Sequence, residues 1–221
     1  MDHEGHRVPR IRRRRGCQMS VLCAKDIREL LNGKPDDVGT LVIAPFDRDA
    51  LDQDSIDLRL GSRFLVPHLH KIGSFEFGGS QTRRDRSTKH RRHGQPDPIG
   101  YQRLVHVPAH DHIVVPAHST ILGAVFEYIK LPFNVSGQVL TKSSLARLFI
   151  TIEGAPWIHP LYRGCLTLEI ANASGTAIKL KPYTRIAQLV LFKVEGVTRP
   201  PDSMEGKYIG PVDPELPDFA D

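Results

Sequence analysis

The sequence predicts an all-β protein, a sandwich or barrel of short strands, and three observations carry that reading. Between residues 104 and 196 short apolar runs follow one another closely: LVHVPA, HIVVPAHSTILGAVFEYI, VSGQVL, LFITI, GCLTLEIAN, AIKLK and RIAQLVLFKVEG. Each is bounded by Gly, Pro, Asn or Ser, the punctuation of strands and turns. Helical segments do not alternate with them and no internal repeat is found, which disfavours a parallel α/β sheet. Earlier in the chain, SIDLRLGSRFLV sets Ile56, Leu58 and Leu60 against Asp57, Arg59 and Gly61, the period of a half-buried strand.

The composition fits one domain. Of 221 residues, 40% are hydrophobic and 25% charged, enough apolar material for a sizeable core. A folded chain of this size buries roughly 70% of the surface its unfolded form exposes. No apolar run approaches the ~18 residues of a membrane span, and the opening residues contain no signal-peptide h-region. Cys17, Cys23 and Cys165 are too few and too scattered for a disulfide framework, and no CxxC pair occurs. Secreted, membrane, collagenous and zinc-ribbon classes are disfavoured. A soluble cytoplasmic protein is expected.

In order along the chain, residues 1–18 hold six arginines against Asp2 and Glu4. Such a segment cannot bury a core and reads as a disordered arm. Met19 begins a stretch resembling a natural start, so 1–18 is expected to be an upstream extension. In AKDIRELL, Ile27, Leu30 and Leu31 have helical spacing, and Gly33 sits where a helix would end. SIDLRLGSRFLV follows as a strand ending in a turn. Residues 78–100 are rich in Gly, Ser, Arg and His and read as a long exposed loop. The short strands come next. The last stretch, from Thr198, is rich in proline and acid and reads as a tail.

The net charge of +5 resides in two short segments. Residues 1–18 carry +4 and residues 80–93 carry +5, which leaves the remainder mildly acidic at −4. Charge blocks of this kind usually stay solvated. A nucleic-acid arm is the sharper alternative, and nucleic acid is not the expected partner.

Lys142-Ser143-Ser144-Leu145-Ala146-Arg147 places two hydroxyls between cations after a strand-like segment. If a helical turn begins there, its free N–H groups favour an anion, and Ser143 and Arg147 share one face. A capped helix with a solvated arginine is the plainer reading. In Cys165-Leu166-Thr167-Leu168-Glu169, strand alternation puts Cys165, Thr167 and Glu169 on one face. Glu169 either faces solvent or is held in a site, where burial would raise its pKa toward proton-exchange chemistry. His110 and His112, with His106 and His118 nearby, are bracketed by Pro108 and Pro116 as in a surface turn. Nothing in that spacing fixes the convergence that zinc requires.

Taken together, these pieces resemble the dCTP deaminases of the trimeric dUTPase-like superfamily, over about Met19 to Tyr208 apart from the basic insertion. The resemblance rests on KDIRELL, SIDLRLG, VPA…ILGAVFEYIKLP, KSSLARL, APWIHPLYRGCLTLEIAN, RIAQLVLF and GKY. It implies a mainly β fold, a distorted antiparallel jelly-roll-type β-barrel with a short N-terminal helix. Residues 19–198 would form that barrel with the insertion at about 78–100, and 199–221 a flexible tail closing over the nucleotide. The resemblance further implies a homotrimer with intersubunit sites, dCTP bound with Mg²⁺, and no zinc or other protein-bound metal.

The chemistry implied is hydrolytic deamination of dCTP to dUTP and ammonia, in the supply of dUMP and dTTP precursors. Glu169 would activate the water, with Ser143 and Arg147 positioning and polarising water and base. Lys142 and Ser144 would hold phosphate oxygens. His159, Thr167, Leu168, Gln188, Lys207 and Tyr208 would contact the nucleotide. The sequence departs from the family pattern at four places. His159 stands for an aspartate, Lys142 for an arginine and Pro211 for a glutamine. The stretch Glu153-Gly154-Ala155-Pro156 is one residue short. Two alternatives stand beside this reading: a non-catalytic nucleotide- or partner-binding module, and a dUTP pyrophosphatase or bifunctional enzyme.

Overall fold

The computed structural model describes residues 20–67, 102–153, 156–196 and 210–215. The basic arm and nearly all of the insertion and its flanks lie outside these residues. The elements are β1 (Ser20–Val21), α1 (Ala24–Leu31), β2 (Val42–Ala44), a 3-10 turn (Arg48–Ala50), β3 (Ser55–Pro67), β4 (Gln102–His106), β5 (Ile113–Val115), β6 (Ser119–Val125), β7 (Tyr128–Lys130) and β8 (Val135–Thr141). Then come α2 (Ser143–Ala146), β9 (Ile150–Glu153), β10 (Trp157–Ile158), β11 (Arg163–Gly164), β12 (Thr167–Asn172), β13 (Ile178–Leu180) and β14 (Arg185–Lys193). Each apolar run expected to be a strand forms at least one.

Every strand pairing among the described residues is antiparallel. The main sheet runs β10-β8-β14-β3-β6-β12-β9, with β1 added to β14 and β4 to β3. Its two arms meet. The Thr141 hydroxyl at the end of β8 accepts the Ile152 N–H of β9 at 2.7 Å, which curls the sheet back on itself. The inward faces of β3, β6, β12 and β14 fill the interior with Ile56, Leu58, Phe64, Ile121, Ile170 and Leu189. Each such side chain contributes roughly 1.5–3 kcal/mol by leaving water. Ile27, fully buried, pins α1 to the core, while the Asp26 carboxylate accepts the Cys23 N–H at 3.2 Å and closes the helix start.

The strand expected over SIDLRLGSRFLV forms as β3, which continues through Gly61 to Pro67. The register against β6 shifts between Leu60 and Phe64. A Cβ at Gly61 would stand 2.9 Å from the Ala124 carbonyl oxygen, so the glycine marks a close backbone approach within a bent strand.

Candidate active site

The KSSLAR segment forms a short helical turn directly after β8. Lys142 has extended backbone (φ −63°, ψ 136°), and its carbonyl accepts the Ala146 N–H at 3.0 Å. Arg147 N–H donates to the Ser143 carbonyl at 3.1 Å, which stacks the two residues on one side of the turn. Leu145 anchors the turn in the core, leaving Ser143, Ser144 and Arg147 exposed.

Lys142 is already engaged. Its ammonium donates to both Asp57 oxygens at 2.6 Å. Arg185 approaches the same carboxylate at 3.7 Å and pairs with Asp47 at 2.7 Å. That hydrogen bond, followed by the Asp49 N–H, holds the Asp47 carboxyl below its usual value. Asp57 stands opposite Gln188 in the β3–β14 ladder. The chain Lys142–Asp57–Arg185–Asp47 therefore links the start of α2 to Gln188 and the 3-10 turn. A phosphate that takes Lys142 must compete with Asp57.

Glu169 lies in the middle of β12, opposite Leu122 of β6 and Glu153 of β9. Its side chain is half-buried, and burial pushes its carboxyl above the usual glutamate value. Thr167 shares its face two residues away, and Thr167 Oγ1 accepts the Glu215 N–H at 3.1 Å. Leu168 points the other way and is 2% exposed, so only its backbone can meet a ligand. His159 follows β10, is exposed, and accepts the Tyr162 N–H on its carbonyl at 3.3 Å. The Pro156 carbonyl, at the end of the shortened stretch, accepts the Val139 N–H at 2.9 Å.

Within the chain, Lys142 and Gln188 come together around Asp57, and Thr167 stands beside Glu169. Ser143 and Arg147 make no side-chain bond to Glu169, and β9 separates the two groups. Lys207 and Tyr208 lie outside the described residues. Among the described residues, no three His, Cys, Asp or Glu side chains converge as metal ligands, and no helix is long and apolar enough to cross a membrane. Asp57 and Arg185 were not singled out by the sequence reading. A carboxylate and a guanidinium on neighbouring strands would have signalled them only once the β3–β14 register was known.

The profile of the family described as dCTP deaminase-like matches residues 21–194. The chain belongs to this family. A curated relative from Nanoarchaeum equitans (strain Kin4-M), "dCTP deaminase, dUMP-forming", is 34% identical over 85% of this chain and 91% of its own length. Another of the same name, from Sulfurihydrogenibium sp. (strain YO3AOP1), is 33% identical over 86% of this chain and 92% of its own. Among solved structures, 2'-deoxycytidine 5'-triphosphate deaminase from Agrobacterium tumefaciens superposes with a TM-score of 0.55 at 22% identity. It covers 79% of this chain and 48% of that one, a likeness of fold. This family member thus has the expected mainly β fold, a distorted antiparallel dUTPase-like barrel with a short N-terminal helix.

Proposed function

We propose that the protein deaminates dCTP hydrolytically, with water entering at C4 of cytosine to give dUTP and ammonia. The observation that carries this reading is Glu169, a carboxyl with a raised pKa in the middle of a strand. The carboxylate takes a proton from water as the hydroxide adds to C4 and gives it to N3. It then takes the proton of the new C4 hydroxyl and gives it to the departing amine, leaving the C4 carbonyl, N3–H and ammonia. A glutamate titrating closer to neutrality serves both steps better than an ordinary one. Ser143 and Arg147 orient water and base, and Arg147 keeps its charge throughout. Lys142 and Ser144 take phosphate oxygens of the magnesium complex of dCTP. His159, Thr167, the Leu168 backbone, Gln188, Lys207 and Tyr208 hold the rest of the nucleotide.

The assembly proposed is a cytoplasmic homotrimer with sites between subunits. Leu148 and Phe149 support it: they follow α2 directly and are 53% and 64% exposed, an apolar surface that a neighbouring copy would cover beside Ser143 and Arg147. Residues 19–198 form the catalytic barrel, 1–18 are dispensable, and part of 199–221 covers the nucleotide.

A second reading is formation of dUMP, favoured by the names of the relatives. It requires a second water at the phosphates. The imidazole of His159 carries no negative charge when neutral, so dUTP is the product proposed. Purified protein incubated with dCTP and Mg²⁺ is expected to release ammonia and dUTP in equal amounts. Pyrophosphate and dUMP would establish the second reading, and binding without turnover would indicate a non-catalytic module.

The same assay tests His159. His159→Asp is expected to strengthen the hold on the sugar or to add release of pyrophosphate. A charge-assisted bond contributes roughly 1.5–3 kcal/mol, about ten- to a hundredfold in affinity or rate. Slower deamination with no pyrophosphate would show a site built around imidazole.

A further inference from the structure

Residues 210–215 do not leave the barrel. Gly210 N–H donates to the Arg163 carbonyl at 2.7 Å, and Cys165 N–H donates to the Pro211 carbonyl at 2.6 Å. Glu215 N–H donates to Thr167 Oγ1 at 3.1 Å. The partners, Arg163, Cys165 and Thr167, lie along the chain from β11 into β12, the first two bonded through their backbone and the third through its side chain. Asp213 also pairs with Arg63 of β3 at 2.5 Å. The strap roofs a cavity of about 120 Å³ above Gly61, Ala124 and Cys165.

Gly164 makes this docking possible. Its φ is +140°, and a Cβ there would stand 2.5 Å from Pro211 Cδ and 2.8 Å from the Pro211 carbonyl oxygen. The strap therefore has a seat cut for it. Its last contact is made to a side chain on the Glu169 face. A threonine hydroxyl has one proton and two lone pairs. With the Glu215 N–H on one lone pair, the hydroxyl still has its proton to give, and it stands on the face that Glu169 occupies.

We propose that residues 210–215 are a positioning strap that fixes Thr167 as a hydrogen-bond donor to the nucleotide at Glu169. Glu215 acts through its backbone, while Gly164, Arg63 and Asp213 keep the strap seated. This rests on the deaminase reading and names the element that prepares its site.

The test uses the full chain and magnesium-complexed dCTP. Glu215→Pro deletes the N–H that donates to the Thr167 hydroxyl. Its dCTP Kd and KM are expected to rise about three- to tenfold, the worth of one hydrogen bond, with kcat within about twofold. Thr167→Val should do the same, and the double variant should cost no more than either alone. Effects that multiply in the double variant, or an unchanged Kd for Glu215→Pro, would overturn the proposal. Gly164→Ala gives an independent check: faster hydrogen exchange at the Cys165 amide together with the same rise in Kd. Exchange that quickens with Kd unmoved would mean that the strap is structural only. If wild-type protein binds dCTP without turnover, the deaminase reading fails while the Kd series still decides the strap. If it binds none, both fall.

Discussion

Glu169→Gln is expected to lower dCTP turnover by at least ~100-fold. Glutamine keeps the length and hydrogen-bonding shape of the side chain but cannot accept a proton from water. Binding of dCTP should change far less, because the carboxylate acts on the water and ring rather than on the phosphates. A variant within a few-fold of wild type would remove Glu169 from the mechanism.

The pH dependence follows from the same residue. Burial raises the folded-state pKa above the ordinary 4.5. The general base must be unprotonated in the free enzyme, so kcat/KM is expected to fall as pH drops through that raised value. Stability runs the opposite way. Between the ordinary and raised values the folded state holds more proton than the unfolded one, so stability decreases as pH rises. Above the raised value the full cost of a charged, half-buried carboxylate is present. Glu169→Gln should therefore melt higher than wild type at pH 7, with the difference vanishing below about pH 4.5. Melting curves at the two pH values check the sign, and a lower melting point at pH 7 would contradict it.

How legible the molecule was depends on the distance over which each feature is set. The strands of the barrel were readable because period-two alternation is local. In β12 the core takes Leu168, Ile170 and Asn172 while Thr167 and Glu169 face the other way, as the spacing predicts. The helix AKDIRELL was readable for the same reason. Partners far apart in sequence were not. Lys142, expected to hold phosphate oxygens, also meets Asp57, 85 residues away, a pairing that only the β8–β14–β3 register brings about. The proline- and acid-rich composition of the end predicts a tail rather than a strand. Where residues 210–215 dock is not legible in it, because the positive φ of Gly164 and the Thr167 hydroxyl create a seat that composition cannot reveal.

The largest expected effect on stability comes from another pair invisible to local reading. Glu127, 3% exposed, follows β6 and lies 68 residues from Arg59 of β3. Its carboxylate accepts the Arg59 Nε–H at 2.6 Å and the Arg59 backbone N–H at 3.0 Å. The guanidinium also lies over the Phe126 ring, 5.0 Å from its centroid. Glu127→Ala would strand a half-buried cation and an unpaired backbone N–H, and such losses cost about 3–5 kcal/mol. At about 2–4 °C per kcal/mol for a chain of this size, the melting temperature should drop by roughly 6–20 °C. In urea the midpoint should fall with the slope unchanged. Glu127→Gln keeps the shape and one acceptor and should cost less. Arg59→Met combined with Glu127→Ala should recover part of the loss, because the stranded charge is gone. A cost below ~1 kcal/mol for Glu127→Ala would make the pair no more than a surface bridge. The consequence reaches the site. After burial, the charges of Glu127 and Asp213 are what raise the Cys165 thiol, so the carboxylate sits close under the seat of the strap. Loss of the Arg59–Glu127 lock should therefore speed hydrogen exchange at the Cys165 amide before the barrel as a whole unfolds.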